Sequence, residues 1–295
     1  MLSADVLAKI RLLELKADHL ASDMLLGNYV SAFKGRGWDF EELREYVPGD
    51  DLRSIDWNVT ARTSSPFVKV YREERDMTVM LLLDVSSSLY FTGQGRPKHE
   101  IAAEFAAVLA FLATKHKDKV GLLLFSDSVE HYTPPSKGRK HVWDIIRRVL
   151  THKAQGQGTD LEGALRYFLN IRKKRALVFL ISDYYAEYKP SLIRQLAGRH
   201  ELVCVRIHDA AEEVLPSAGI VAMEDKESGE KIYVNTDDPE LRRDWAEKQQ
   251  KALADWRQAV RVAGATPLLL PTSISVGDTL QKFLRQRDKQ RRRLR

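Results

Sequence analysis

The strongest constraint on the fold is the stretch at residues 78–83, which is apolar without interruption after its first residue. A half-buried strand alternates apolar and polar side chains. A run with no polar break therefore marks a strand covered on both faces, as when crossover helices lie above and below a parallel sheet. Similar runs recur at residues 120–125, 176–181, 202–207 and 267–270, with a short edge strand expected at 129–132. Helical stretches separate them. In residues 98–115, Ile101, Phe105, Val108 and Leu112 share a face and alanines make the rest apolar, which predicts a well-buried helix. Further helices are expected at 142–150, 161–171, 191–197 and 239–262, and from Val276 into the C-terminal end. Strands alternating with helices predict an α/β fold, a doubly wound, mostly parallel sheet with helices on both faces.

A chain of 295 residues, 44% hydrophobic, can build one large domain of this kind with a smaller module beside it. The expected division is an N-terminal segment over 1–75, the α/β domain over 76–272, and a C-terminal helix with a basic tail over 273–295. In the N-terminal segment, Val6, Ile10, Leu13 and Leu20 lie on one helical face, the pattern of a packing helix. Residues 35–75 then turn charged, aromatic and turn-rich. There Pro48-Gly49-Asp50 reads as a turn, Trp57 as a packing anchor, and Arg53, Asp56 and Arg62 as ion-pairing groups.

The formal charge of +6 equals the charge of the last eleven residues alone, which hold seven basic side chains and one acidic one. The remainder is close to neutral, so the basic end reads as a solvated helix terminus and nucleic acid is not expected as a partner. The single cysteine, Cys204, lies in an apolar run and can form neither an intrachain disulfide nor a thiolate cage. Lys9, Arg11, Glu14 and Lys16 interrupt the N-terminal leucines, and no stretch approaches the ~20 apolar residues of a spanning helix. A cytoplasmic setting is expected.

Asp84-Val85-Ser86-Ser87-Ser88 follows directly on the strongest strand, at the carboxyl edge of the sheet where open α/β folds place ligands. Its alternate positions carry a carboxylate and two hydroxyls, oxygen donors of the kind a hard cation prefers. Serine-rich turns are common, and the motif alone is weak. Two further segments aim at the same edge: Thr159, just before the helix at 161–171, and Asp183, just after the strand at 176–181. Ser126-Asp127-Ser128 and His208-Asp209 are read as turns. The eight histidines show no zinc-site spacing, and Gly93 to Pro97 resembles a phosphate loop only in its glycines, so neither zinc nor ATP is expected.

In order and in placement, Asp84-x-Ser86-x-Ser88, Thr159 and Asp183 resemble the metal-ion-dependent adhesion site of von Willebrand factor type A domains. Arg44-Glu45-Tyr46, Pro48-Gly49-Asp50-Asp51, Arg53, Ile55-Asp56-Trp57 and Ala61-Arg62 resemble a second signature. Together they are similar to the bacterial family catalogued as domain of unknown function 58. The resemblance implies a type A domain binding Mg²⁺ or Mn²⁺. Ser86, Ser88 and Thr159 would be near ligands, and Asp84 and Asp183 would hold coordinated waters. It also implies a metal-dependent protein-interaction module, an adaptor or co-chaperone working with a MoxR-type AAA+ ATPase or its client. No enzymatic activity is expected, because no general acid, base or cationic phosphate clamp is evident. The rival expectation is a metal-dependent phosphoester hydrolase using Asp84, against which stands Ser86 where a second carboxylate is usual.

Overall fold

The computed structural model describes residues 8, 10–16, 29, 32–33, 40–62, 65–71, 77–90, 96–156, 158–224 and 231–293. Ten strands are present among them: β1 (Phe40–Glu45), β2 (Phe67–Tyr71), β3 (Thr78–Asp84), β4 (Lys119–Phe125), β5 (Val129–Ser136), β6 (Leu177–Ser182), β7 (Glu201–His208), β8 (Ile220–Glu224), β9 (Lys231–Asn235) and β10 (Thr266–Pro271). The helices are α1 (Trp57–Thr60), α2 (Lys98–Lys115), α3 (Arg139–Thr151), α4 (Leu161–Ile171), α5 (Pro190–Arg199), α6 (Ala210–Glu213), α7 (Pro239–Val262) and α8 (Val276–Arg293).

The central sheet runs β10-β7-β6-β3-β4-β5, parallel throughout except for the antiparallel edge pair β4–β5. This is the expected mostly parallel α/β sheet. Every residue of β3 is buried, because its side chains feed two cores in alternation. Val79, Leu81 and Leu83 join a layer with Phe105, Val108, Ile145, Leu280 and Leu284, from α2, α3 and α8. Met80 and Leu82 join the opposite layer with Leu165, Phe168, Ile193 and Trp256, from α4, α5 and α7. Period-two alternation with both faces covered is the reason the strand carries no polar residue between its ends.

Helix α2 is apolar all round because it is enclosed. One side lies on the sheet, and Ile10, Leu13, Tyr29 and Phe33 of the N-terminal region belong to the same cluster. Lys16 reaches Glu104 on α2 at 3.3 Å. Residues 10–16 are helical, with Ile10 and Leu13 buried as the periodicity requires; Val6 and Leu20 lie outside the described residues. Gly264 closes α7 at φ +84°, and Ala265 N–H donates to Val260 O at 3.0 Å, the left-handed C-terminal turn glycine permits. A Cβ on Gly121 would sit 2.6 Å from Met80 Sδ and 3.1 Å from the Pro135 nitrogen, so β4 tolerates no side chain there.

Two expectations need correction, and one hairpin is new. Trp57 is not a packing anchor: it is 68% exposed at the start of α1, where Asp56 caps the Asn58 and Val59 N–H groups. His208-Asp209 is not a surface turn: Asp209 is buried, completes a capping box with Glu212 on α6, and accepts from Thr272 Oγ1 at 3.0 Å. The β8–β9 hairpin was not anticipated, because two solvated strands with Ile220 and Tyr233 exposed lack the one-sided burial that makes a strand legible. No described helix is long and apolar enough to cross a membrane.

Candidate metal centre

Parallel pairing of β3 with both β4 and β6 brings three strand ends to one edge. Asp84, 1% exposed, ends β3 beside Phe125 of β4, and Val85 N–H donates to Phe125 O at 2.8 Å. Both Asp84 oxygens accept hydrogen bonds, Oδ1 from Ser86 N–H at 2.9 Å and Oδ2 from the Ser182 hydroxyl at 2.7 Å. The chain then turns through a short 3₁₀ segment, Ser87–Tyr90, anchored by buried Leu89. That turn sets the Ser86 and Ser88 hydroxyl oxygens 3.2 Å apart.

Asp183 follows β6, buried, with Tyr185 N–H donating to its Oδ1 at 3.4 Å. Between them Tyr184 adopts φ +58°, an unfavourable backbone for a non-glycine residue. Its side chain holds it there: the hydroxyl donates to Leu180 O at 2.9 Å, and the ring packs against Tyr188 and Trp256.

Thr159 is half-buried in the loop leading into α4. Asp160 caps that helix through Gly163 N–H at 2.8 Å, and Asp160 N–H donates to Ser126 O at 2.7 Å, tying the loop to the end of β4. Ser126 N–H bonds Ser128 O at 2.9 Å, so the Ser126-Asp127-Ser128 turn serves as the tether. Glu130 secures the rest of the loop, accepting from the Ser126 hydroxyl, His152, and the Gln155 and Gly156 N–H groups. Burial alone would raise the Glu130 carboxyl, but these donors outweigh it and hold it below the usual range.

Burial, first, and the Asp183 carboxylate, second, raise Asp84 to about 6, against the lowering effect of the Ser182 and Ser86 hydrogen bonds. Two carboxylates in dry surroundings call for positive charge. One source was missed in the sequence. Lys98, the first residue of α2, is buried with its ammonium 3.3 Å from Asp183 Oδ2 and in contact with Glu212 Oε1 on α6. A lysine at a helix start opposes the helix dipole. That misplaced charge was the available signal, though nothing local named its partners. Ser182, Glu130 and Glu212 were missed likewise.

The donor set suits a small hard cation. Two ligands at right angles on an ion with bonds of ~2.1 Å stand ~3.0 Å apart, close to the Ser86–Ser88 separation of 3.2 Å. The set is rich in hydroxyls. Among the described residues no group of three or more His, Cys, Asp or Glu is placed to hold a metal ion.

Fold and site together define a doubly wound α/β protein with a hydroxyl-carboxylate cluster at the carboxyl edge of its central strands. The chain belongs to the family described as Protein of unknown function DUF58, which matches residues 42–255. An uncharacterised protein of Mycobacterium tuberculosis is 31% identical over 270 residues, 90% of this chain and 84% of that one. One of Mycobacterium avium is 26% identical over 157 residues, 52% of this chain and 92% of that one. Similar solved structures include an aerotolerance-related membrane protein from Bacteroides fragilis, at 14% identity, covering 72% of this chain and 99% of that one, with TM-score 0.48. The conserved hypothetical protein BatB from Bacteroides thetaiotaomicron is 15% identical with the same coverage and TM-score 0.46. A von Willebrand factor type A protein from Catenulispora acidiphila is 12% identical, covering 75% of this chain and 43% of that one, with TM-score 0.39.

Proposed function

We propose that the chain is a protein-interaction module that grips an acidic residue of its partner through Mg²⁺ or Mn²⁺. Ser86, Ser88 and Thr159 would offer hydroxyl oxygens, and Asp84 and Asp183 would orient coordinated waters. The observation that carries this reading is the Ser86–Ser88 hydroxyl pair, 3.2 Å apart beside two buried carboxylates. When bound, such an ion supplies a hard positive contact whose remaining water a partner's Asp or Glu can replace. The chain's own work is positional. Ser182 and Ser86 N–H fix Asp84, Tyr184 fixes the turn after Asp183, and Glu130 fixes the Thr159 loop. The resemblance to a family accompanying MoxR-type AAA+ ATPases supports such an ATPase, or its client, as the partner; that support is analogy.

The test is capture of a purified MoxR-type ATPase by the immobilised full chain, with Mg²⁺ or with EDTA. Capture should be lost in EDTA and in Asp84→Ala. If Asp84→Ala abolishes Mg²⁺ binding while capture stays intact, the metal grip is wrong.

The alternative, a metal-dependent phosphoester hydrolase using Asp84, gains one cation from the structure. Lys98 is buried, however, and committed to Asp183 and Glu212, so it is not available as a phosphate clamp. Turnover of p-nitrophenyl phosphate with Mg²⁺, lost in Asp84→Asn, would reverse the ranking.

A further inference from the structure

The Lys98 ammonium is 1% exposed, 3.3 Å from Asp183 Oδ2, in contact with Glu212 Oε1 and 5.1 Å from the centroid of the Tyr185 ring. A charge so far from water persists only with opposite charge against it. The helix does not supply that charge, since the N-terminal end of α2 carries the positive pole of its dipole. The carboxylates hold Lys98, and Lys98 in turn aims Asp183. Glu212 is itself fixed: its second oxygen accepts Asp209 N–H at 3.3 Å, and its backbone carbonyl accepts the Trp245 indole N–H at 2.8 Å from α7. The pair is therefore built into the junction of α2, α6 and α7.

We infer that Lys98 is a resident counter-cation of the metal centre, which neutralises and orients Asp183 without a divalent ion and so weakens the site's affinity for one. This rests on the metal-binding reading above and adds to it a residue outside the adhesion-site pattern. Asp84, Asp183 and Glu212 bring three carboxylates to this region, and Lys98 and the buried Arg206, over the Tyr185 ring at 5.4 Å, bring two cations. A divalent ion thus enters surroundings where Lys98 and Arg206 already offset part of the carboxylate charge. Even at the dielectric constant of bulk water, a unit charge held by the same carboxylate as a doubly charged ion lowers that ion's binding about tenfold, and burial enlarges the effect. An acidic group on a partner would offset that repulsion.

The experiment measures Mn²⁺ affinity of the full chain by electron paramagnetic resonance, with Mg²⁺ competition, for the native protein, Lys98→Gln and Lys98→Arg. Lys98→Gln keeps an N–H donor to Asp183 but no charge, and should bind at least about tenfold more tightly. Lys98→Arg should stay near the native value. Equal or weaker binding by folded Lys98→Gln overturns the inference while leaving the metal reading intact if the native chain binds. Binding by Lys98→Gln alone supports the inference and removes metal grip from the native chain. Binding by neither overturns both. If Lys98→Gln unfolds in EDTA, refolding on Mg²⁺ addition supports the ion's taking over the lysine's charge; continued unfolding in Mg²⁺ overturns it.

Discussion

Replacing Asp84 by asparagine should stabilise the metal-free protein at neutral pH. Asp84 is 1% exposed, and its carboxyl sits at about 6 in the folded chain against an ordinary 3.8. The gap corresponds to about 3 kcal/mol at about 1.4 kcal/mol per tenfold. Its sign follows from proton linkage. Between those two values the folded chain holds a proton that the unfolded chain has released, so stability falls as pH rises through this range. The contribution of the protonated group is whole below pH 3.8 and gone above about 6. At pH 8 in EDTA the native chain therefore carries a burden of about 3 kcal/mol that Asp84→Asn lacks. The asparagine oxygen can still accept from Ser86 N–H, but the Ser182 hydroxyl must find another acceptor, a loss of about 1 kcal/mol. The net gain is about 2 kcal/mol, or about 4–8 °C in Tm for a domain of this size. Urea unfolding followed by circular dichroism in EDTA at pH 4, 6 and 8 reads it directly. The gain should vanish at pH 4. A variant as destabilised at pH 8 as at pH 4 would refute the claim that the Asp84 charge is costly in the fold. Saturating Mg²⁺, at about 100 times its Kd, should raise the native chain by about 2.7 kcal/mol and the variant by less.

Glu130→Ala leaves the Ser126 hydroxyl, His152 and two backbone N–H groups without their common acceptor. It should cost about 2–4 kcal/mol in chemical denaturation and weaken Mn²⁺ binding by loosening the Thr159 loop. Cys204 is fully buried and burial pushes its thiol up to about 12. It should resist a thiol-reactive dye in the native state, and the labelling rate should equal the global unfolding rate. Labelling faster than unfolding would mean that β7 opens locally. Arg287 on α8 binds Glu201, Thr266 Oγ1 at 2.8 Å and Ala32 O at 3.2 Å, and lies over the Phe33 ring at 4.8 Å. Arg287→Ala should lower stability by about 2–3 kcal/mol, measured by thermal unfolding, whereas charge removal at exposed Arg285 should be nearly neutral.

Arg287 also shows where a reading of local charge stops. By composition the end of α8 is a basic run, and most of its described residues are indeed solvated, yet one arginine is folded into contacts with partners from residue 32 to residue 266. Local signals were sufficient where burial leaves a periodic mark. The unbroken apolar run of β3 and the alanine-rich face of α2 each declare which sides are covered. Asp84, Ser86, Ser88, Thr159 and Asp183 could be picked out as candidates because each follows or precedes a strand or helix whose direction is set by the parallel sheet.

Charge pairing leaves no such mark. Whether Lys98 is solvated or meets Asp183 and Glu212 depends on how α2, the end of β6 and α6 converge, and those groups stand 85 and 114 residues apart along the chain. The same holds for Trp57, whose aromatic ring predicts burial while its place at the start of α1 exposes it, and for Asp209, which is buried and accepts from Thr272, 63 residues further along the chain. The sequence by itself determined the layered sheet and the hydroxyls and carboxylates at its edge, since periodicity is a property of consecutive residues. Only the tertiary structure decided which cation stands against those carboxylates, because an ion pair is set by distance in space.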